Sequence, residues 1–247
     1  MARGYSDGKR ETAKTIIYAI LIAVFVRTFL YEPFNIPSGS MMPTLLVGDY
    51  LFVSKFSYGY SKYSLPFSAG LPDGRIFWHP PRRGDVVVFK KPPQNRIDYI
   101  KRVVGLPGDR IQVIHGILYI NGKPVKRRRI ADFVGHDARG DIIREPQYIE
   151  TLPNGVKNKI LGYYGDDGPE DNTQVYVVPP GHYFMMGDNR DNSEDSRYLN
   201  VVGYVPAENL IGKADVIFFS TNGTASLWEP WKWPWAIRYD RLFERIE

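Results

Sequence analysis

A hydrophobic run near the N-terminus constrains the fold of this chain more than any other feature. The seventeen residues from 15 to 31 read TIIYAILIAVFVRTFLY and contain one charged side chain, Arg27. As a helix they would be about 26 Å long, close to the roughly 30 Å of the bilayer hydrocarbon core. Arg27 lies near one end, where its long side chain can reach the headgroups. We therefore predict a transmembrane helix over residues 15–31, preceded by a short tail over residues 1–14.

The charges that flank this run predict its orientation. Four basic side chains precede it, and no Lys or Arg follows it until Lys55. Because basic flanks stay on the cytoplasmic side, we expect the N-terminus in the cytoplasm and the chain after about residue 32 outside. A cleaved signal peptide and a buried core helix are the alternatives. The run continues into EPFN without a small-residue cleavage site, which favours a retained anchor.

The rest of the chain has the pattern of β structure. Short runs rich in β-branched and aromatic residues alternate with Gly, Pro, Asp and Asn, which is typical of strands joined by turns. These runs lie at 49–56, 84–91, 98–105, 109–122, 174–179, 183–188 and 214–220. Asn121-Gly122 is typical of a type I′ hairpin turn. We predict a mostly β, antiparallel domain formed by residues 32–123 and 174–222, on a single N-terminal transmembrane helix.

Two segments depart from this pattern. Residues 124–173 have weaker periodicity and contain a basic run at 126–129, so we predict an inserted subdomain, a β excursion of the sheet. A basic run can contact nucleic acid, but a solvated or lipid-facing strip fits an exterior location better. Residues 223–247 form an aromatic, amphipathic segment that contains Trp228, Trp231, Trp233 and Trp235. Its apolar residues have helical spacing, which predicts a helix at the bilayer interface or one docked on the domain.

The composition excludes several kinds of chemistry. The chain has no cysteine, which removes disulfides, thiolate nucleophiles and cysteine metal sites. Its four histidines show neither HxxxH nor HxH spacing, so we expect no metal site. The net charge of +5 fits attraction to anionic lipid as readily as to nucleic acid.

A serine becomes a nucleophile only when a base takes its proton. The chain has no GxSxG motif and no histidine in a triad context, which leaves lysine as the base. The pKa of such a lysine must fall from about 10.4 to roughly 7–8, which requires burial among apolar groups. Lys101 is the strongest candidate, because Ile100, Val103 and Val104 surround it. Asp98 projects to the opposite face of the predicted strand. From the pattern alone, a solvated strand lysine is the commoner case.

Four longer motifs carry a resemblance to a known family. PSGSMMPTLLVGD (37–49), RGDVVVFK (83–90), DYIKRVVGLPGD (98–109) and GDNRDNSEDSRYLNVVGYVP (187–206) follow the hydrophobic run in this order. They resemble the successive boxes of the bacterial type I signal peptidases, or leader peptidases. The match spans roughly residues 15–125 and 180–220, and leaves 124–173 and the tail uncovered. The chain has one hydrophobic segment, whereas some members of that family have two.

The resemblance implies a serine endopeptidase with a Ser-Lys dyad. It implies that the enzyme cleaves signal peptides from exported preproteins after small residues, through an acyl-enzyme. Ser40 matches the nucleophile and Lys101 the general base. Ser38 matches the hydroxyl that donates to the oxyanion together with the Ser40 N–H, and Ser193 matches the hydroxyl that orients the lysine amine. The positions that match structural ion pairs are Arg102, Asp188, Asp195 and Arg197.

The same resemblance implies shallow apolar pockets that admit alanine and an extended substrate strand. The matching pocket positions are Phe34, Ile36, Pro37, Val88 and Ile100. For Phe34 and Val88, ordinary core packing is the alternative. The resemblance assigns no role to Met41 or Met42.

The resemblance also implies a location and partners. We expect a single-pass protein of the bacterial inner membrane, with its catalytic domain in the periplasm. Its expected partners are preproteins and the lipid bilayer, with no nucleic acid and no cofactor, and we expect a monomer. A self-cleaving, repressor-type Ser-Lys peptidase would need a DNA-binding domain in place of the hydrophobic run. An inactive membrane-anchored binding module is the other alternative, and a substitution at Ser40, Lys101 or Ser193 would have indicated it.

Overall fold

The chain begins with a long helix that leads directly into a sheet. The computed structural model describes residues 4–64, 74–136, 141–163, 168–225 and 229–246. Helix α1 is Gly4–Phe25, and a π-helical turn, Val26–Leu30, extends it. The helical span Arg10–Leu30 has a mean hydropathy of 1.9, and none of it is buried in the protein. This span packs against no protein core, as expected of a helix that lies in lipid. It is also long and apolar enough to cross a membrane.

The start and end of the helix differ from the prediction of residues 15–31. The helix begins at Gly4, within the predicted tail. Tyr31, predicted as its last residue, instead pairs with Ser54 as the first residue of a strand. The chain thus passes from the helix into the sheet without a linker.

Sixteen strands follow in the described residues, together with one short helix. They are β1 Tyr31–Asn35, β2 Asp49–Ser54, β3 Val86–Lys90, β4 Asp98–Gly105, β5 Arg110–Ile114, β6 Ile117–Ile120, β7 Lys123–Pro124, β8 Lys126–Arg129, β9 Phe133–His136, β10 Ile142–Glu145, β11 Gln147–Thr151, β12 Lys157–Leu161, β13 Tyr176–Val177, β14 His182–Met186, β15 Val205–Pro206 and β16 Leu210–Ser220; helix α2 is Trp233–Ala236.

A seven-stranded antiparallel sheet forms the centre of the domain. Its strand order is β1-β2-β16-β3-β4-β14-β15. Smaller sheets have the orders β13-β5-β6-β7, β12-β11-β8 and β10-β9. Strands β8 to β12 fall within the predicted excursion at 124–173. The prediction of a mostly β, antiparallel domain on one N-terminal helix, with a β excursion, is confirmed.

The C-terminal residues do not form the continuous helix that their apolar spacing predicts. Only the four residues of α2 are α-helical between 229 and 246, and the helix ends at Ile237, whose backbone is extended. Backbone bridges hold this segment on the domain, including the one between Thr221 and Ile237. Trp231, Trp233 and Trp235 remain exposed. Trp228 lies outside the described residues.

The turn after β1 is built into the hydrophobic core. Met41 is completely buried and packs with Leu45, Leu51 and Ile217, among others, in one core cluster. Met42 is 2% exposed. Burying a methionine side chain stabilises the folded state by roughly 1.5–3 kcal/mol. The two methionines therefore fix the position of Ser40, which directly precedes them.

Candidate active site

Ser40 lies in a 3₁₀ turn, Gly39–Met41, at the inner end of a cleft. The turn is closed by the Met42 N–H, which donates to the Gly39 carbonyl over 3.1 Å. The Asn189 N–H donates to the Ser40 carbonyl, also over 3.1 Å, and so ties the turn to the chain that follows β14. Ser40 is thus held from two sides, and the residue is 9% exposed.

Gly187, which sequence reasoning did not single out, allows this close approach. A Cβ atom at position 187 would lie 2.5 Å from the Ser40 carbonyl oxygen and would also collide with Ser193. Only a residue without a side chain fits there. Gly187 is part of the GDNRDN motif. The sequence does not show why a glycine is needed there, because the segments of Gly187, Ser40 and Ser193 meet only in the folded chain.

Lys101 reaches the same point from the sheet. It lies on β4 opposite Val87 of β3, and it is 4% exposed. Its Nζ donates a hydrogen bond of 2.6 Å to the Ser40 Oγ. The ring of Tyr99, two residues earlier on the same strand face, has its centroid 5.2 Å from the same Nζ. The structure therefore brings the two residues of the predicted dyad into direct contact.

The electrostatic surroundings of Lys101 favour its neutral form. Burial lowers the pKa of Lys101 to about 8, while the negative charges of Asp195, Asp188 and Glu194 act in the opposite direction. Burial has the larger effect because the charged amine loses its water. At neutral pH a useful fraction of this amine can accept a proton, as a general base must.

The two other predicted serines occupy different surroundings. Ser38 is exposed, has an extended backbone and lines the cleft beside Ser40. Ser193 is 7% exposed, and its hydroxyl lies close enough to the Asp195 carboxylate to help lower the pKa of that group. Ser193 lies beside Gly187, but the hydrogen bond to the Lys101 amine that its predicted role needs is not formed. Both roles stay predictions.

Arg102 and Asp188 form a buried ion pair behind the dyad. Arg102 donates from Nε and Nη2 to the two carboxylate oxygens of Asp188, over 2.8 and 2.7 Å. The Thr44 hydroxyl also donates to Asp188, over 2.5 Å. Since Arg102 follows Lys101 and Thr44 follows the Ser40 turn, this pair joins the strand of the lysine to the turn of the serine.

Asp195 and Arg197 form the second buried ion pair. The Arg197 guanidinium contacts both oxygens of Asp195 at 2.8 Å. Burial by itself raises the pKa of the Asp195 carboxyl, but the charge and hydrogen bonds of Arg197 outweigh it and keep this pKa below its usual value. Asp195 also accepts the Gly187 N–H over 3.0 Å. This pair therefore holds the glycine that lets Ser40 approach.

The five predicted pocket residues all line the cleft of about 390 Å³ that contains Ser38, Ser40 and Lys101. Ile36 and Val88 form its buried wall, at 4% and 2% exposed. Phe34 and Ile100 are half-buried, and Pro37 is exposed at the rim. The cleft is therefore apolar on one side of the dyad.

Sequence reasoning missed other lining residues, which are Asn35, Ile97, Asp98, Tyr99, Asn192 and Glu194. Tyr99 could have been found from strand alternation, because residues two apart share a face with Lys101. Asn192 and Glu194 lie in the same motif as Ser193, but nothing in that motif indicates which side chains face the cleft.

One backbone edge of β4 is open at the cleft. Its first half, Asp98 to Lys101, pairs with β3 on one side. Strand β14 pairs only with its second half, between Arg102 and Gly105. No described strand covers the other edge of the first half, so an extended peptide could add there.

The sequence of this chain matches a known family and several of its members. The family model described as signal peptidase, peptidase S26, matches residues 9–219. Signal peptidase I of Rickettsia typhi is 42% identical over 255 residues, which cover 96% of this chain and 94% of the relative. Signal peptidase I of Rickettsia conorii is 43% identical over 257 residues, with coverage of 96% and 94%. A solved structure of a signal peptidase I from Enterococcus faecalis aligns with 55% of this chain and 97% of its own, at 27% identity and a TM-score of 0.32.

Proposed function

Because the chain belongs to the signal peptidase family, peptidase S26, and is thus a peptidase that acts on preproteins carrying signal peptides, we propose that Ser40 and Lys101 form its catalytic dyad. Ser40 is the nucleophile and Lys101 is its general base. The observation that carries this proposal is the 2.6 Å hydrogen bond between the Lys101 Nζ and the Ser40 Oγ in a buried site.

The reaction proceeds through an acyl-enzyme. The neutral Lys101 amine takes the Ser40 hydroxyl proton as the Oγ attacks the carbonyl carbon of the residue before the cleavage site. The Ser40 N–H and the Ser38 hydroxyl donate hydrogen bonds to the oxyanion of the tetrahedral intermediate. Lys101 then gives its proton to the leaving amine. A water molecule that neutral Lys101 deprotonates releases the acyl group and restores Ser40.

The cleft selects small residues next to the cleavage site. Ile36 and Val88 form the buried wall of the cleft that contains the dyad, and Phe34 and Ile100 line the same cleft. The substrate lies extended along the open edge of β4, where backbone hydrogen bonds hold it independently of its sequence. The pockets then accept alternate side chains of the substrate, and a large side chain does not fit in them.

The dyad works at the surface of the bilayer. Helix α1 crosses the bacterial inner membrane once, with its N-terminus in the cytoplasm and the β domain in the periplasm. Ser40 follows the last helical residue, Leu30, by only ten residues, half of which belong to β1. A signal peptide that crosses the same bilayer would present its cleavage site at this level. We propose that the protein acts as a monomer.

The test is cleavage of a preprotein by Ser40→Ala and Lys101→Ala in the full chain. We expect both variants to fold and to release no mature protein, because each lacks one half of the dyad. Lys123→Ala is the matched control, since Lys123 is an exposed lysine on β7. Full cleavage by either dyad variant would refute the assignment, and binding without cleavage by the unaltered protein would favour the binding-module alternative.

A further inference from the structure

We propose that one face of the three-stranded sheet β12-β11-β8 binds an acidic segment of the preprotein beyond its cleavage site. This surface, here called the basic face, carries the side chains of Lys126, Arg128, Lys157 and Lys159. The proposal rests on the proposed function of the dyad. It adds a second substrate contact, which is made by the excursion at 124–173.

Strand register brings the four cations of the basic face together. Lys126 of β8 and Lys157 of β12 are both opposite the same residue of β11, Thr151. Arg128 and Lys159 are likewise both opposite the residue two positions earlier on β11. Because opposed residues and alternate residues share a face of a sheet, the four side chains project to the same side. Standard strand spacings place their Cα atoms at the corners of a rectangle of about 10 by 7 Å.

The opposite face of this sheet is turned toward the rest of the domain. Glu150 and Asn158, which lie on that opposite face, are 1% and 5% exposed. The Arg190 guanidinium donates to both carboxylate oxygens of Glu150, over 2.8 and 2.5 Å. The Asn158 amide donates to the Asp188 carboxylate over 3.5 Å. The four residues of the basic face are all exposed, so this face is the solvent side of the sheet.

The basic face contains no carboxylate of its own. Among the residues that the structure describes, none places a carboxylate oxygen within 4 Å of a charged nitrogen of these four side chains. The other two members of the basic run at 126–129 do have partners on the opposite face. Arg129 forms an ion pair with Asp132, and the Arg127 guanidinium lies 4.5 Å from the centroid of the Tyr148 ring. Like charges gathered on one face repel each other, and an acidic ligand would relieve that repulsion.

Hydrogen bonds join the sheet of the basic face to the active site. Strand β12 ends at Leu161, whose N–H donates to the Asp188 carbonyl over 2.9 Å. The next residue, Asn189, donates its N–H to the Ser40 carbonyl over 3.1 Å. Since Lys159 lies two residues before Leu161, its Cα is within about 20 Å of Ser40, a distance that about six residues of extended peptide span.

The charge of an exported segment is complementary to the basic face. Lys and Arg close to a membrane-spanning segment stay on the cytoplasmic side, so the exported side of a signal peptide is poor in them. Carboxylates in that exported segment therefore have few cations of their own chain to pair with. In the proposed orientation the basic face lies outside the cytoplasm, where it meets preproteins and no nucleic acid.

The experiment compares two preproteins that share one signal peptide and one cleavage site. Beginning about six residues beyond the cleavage site, one preprotein has a short segment rich in glutamate, and the other has glutamine at the same positions. The full-length protein is tested as a double variant, Lys157→Gln with Lys159→Gln, and as a variant with glutamine at all four positions of the basic face. The matched control is Lys232→Gln with Arg245→Gln, which removes two exposed cations from the C-terminal segment. Steady-state cleavage is measured in micelles of a nonionic detergent without anionic lipid.

On the glutamate-rich preprotein we expect KM to rise about threefold in the double variant and about tenfold in the fourfold variant, because each exposed ion pair contributes about twofold in affinity. We expect kcat to stay the same, because the lost contact binds the ground state and the transition state equally. The control variant should keep the KM of the unaltered protein, and on the glutamine preprotein all four proteins should have one KM.

The remaining outcomes separate this proposal from its alternatives. An unchanged KM of the fourfold variant on the glutamate-rich preprotein would overturn the proposal, while cleavage of both preproteins would leave the dyad intact. An equal rise on both preproteins would show that carboxylates are not what the face binds. An effect that appears only in vesicles containing phosphatidylglycerol would assign the face to anionic headgroups and would also overturn the proposal. Failure of the unaltered protein to cleave either preprotein would refute the proposed function, and with it the premise.

Discussion

Two buried lysines, Lys55 and Lys101, lie in two regions of this protein and have different partners. Lys55 lies where the helix meets the β domain and is 3% exposed. Its Nζ is 3.0 Å from the carboxylate of Glu32 and 3.4 Å from the Arg27 carbonyl oxygen. Lys101 lies in the cleft and is 4% exposed, but its Nζ donates to the hydroxyl of Ser40. The two lysines are thus almost equally buried, but Lys55 forms an ion pair and Lys101 is the proposed general base.

The difference shows that the carboxylates near Lys101 form ion pairs with other residues and not with Lys101. Asp188 is paired with Arg102, and Asp195 with Arg197, through charge-assisted hydrogen bonds of 2.7–2.8 Å. Because these acids are satisfied by arginines, burial remains the largest influence on the pKa of Lys101. The two ion pairs therefore have an electrostatic consequence for the dyad as well as a structural one.

Among the variants that test this comparison, we expect the largest effect when the Ser38 hydroxyl is removed from the cleft. Ser38→Ala should lower kcat by about 10²–10³ with little change in KM, because it removes one donor to the oxyanion that forms only during the reaction. Steady-state kinetics on a preprotein or a signal-peptide substrate measures both constants.

Ser57→Ala is the matched control for the helix–domain junction. The Ser57 Oγ shares a hydrogen bond of 2.6 Å with the Ser54 Oγ and lies outside the cleft. We expect its kcat to equal that of the unaltered protein. If Ser38→Ala kept full turnover, or lost no more than Ser57→Ala, Ser38 would have no part in binding the oxyanion.

A smaller effect is expected from pH. Since the proposed base must be neutral and the pKa of Lys101 is lowered to about 8, kcat/KM should rise about tenfold per pH unit below pH 8 and level off above it. A substrate without titratable side chains near the cleavage site isolates this dependence. Lys55→Met should show the same profile, because Lys55 does not face the cleft. A profile that is flat from pH 6 to pH 9 would contradict a lysine base in the free enzyme.

The dyad could be predicted from the sequence only through the four motifs that resemble the signal peptidases, because from the apolar neighbours of Lys101 alone a solvated strand lysine is the commoner case. Lys101 lies between apolar residues in a run with strand composition, and Ser40 lies in a motif that precedes the strands in the family order. Strand pairing then brings the lysine beside the buried turn of the serine. The absence of a hydrogen bond between Ser193 and Lys101 could not be anticipated, because the motif does not indicate how its side chains are oriented in the folded chain.

The C-terminal segment could not be predicted because long-range contacts decide its path. Its apolar spacing is helical, yet Arg241 binds the buried carboxylate of Asp49 at 2.7 Å and donates to the Thr44 carbonyl over 2.9 Å. Both partners lie more than 190 residues earlier in the chain.

The smallest expected effect concerns stability, and it has opposite signs in the two regions. Lys101→Met should raise the free energy of unfolding at pH 7 by roughly 1–3 kcal/mol. The fall in the pKa of Lys101 from 10.5 to about 8 on folding means that the charged lysine destabilises the folded state. Lys55→Met should lower it by roughly 1–3 kcal/mol, because the Glu32 carboxylate loses its partner while its side chain is only 25% exposed. Urea unfolding in detergent micelles measures both changes.

The pH dependence of the Lys101→Met difference checks its cause. Between pH 8 and pH 10.5 the unfolded chain binds more protons at Lys101 than the folded chain does, so the unaltered protein gains stability as the pH rises. The advantage of Lys101→Met should therefore be fully present below pH 8 and shrink toward pH 10.5. If Lys101→Met were less stable than the unaltered protein at pH 7, the amine would be stabilised by its surroundings as Lys55 is by Glu32, and the contrast between the two regions would fail.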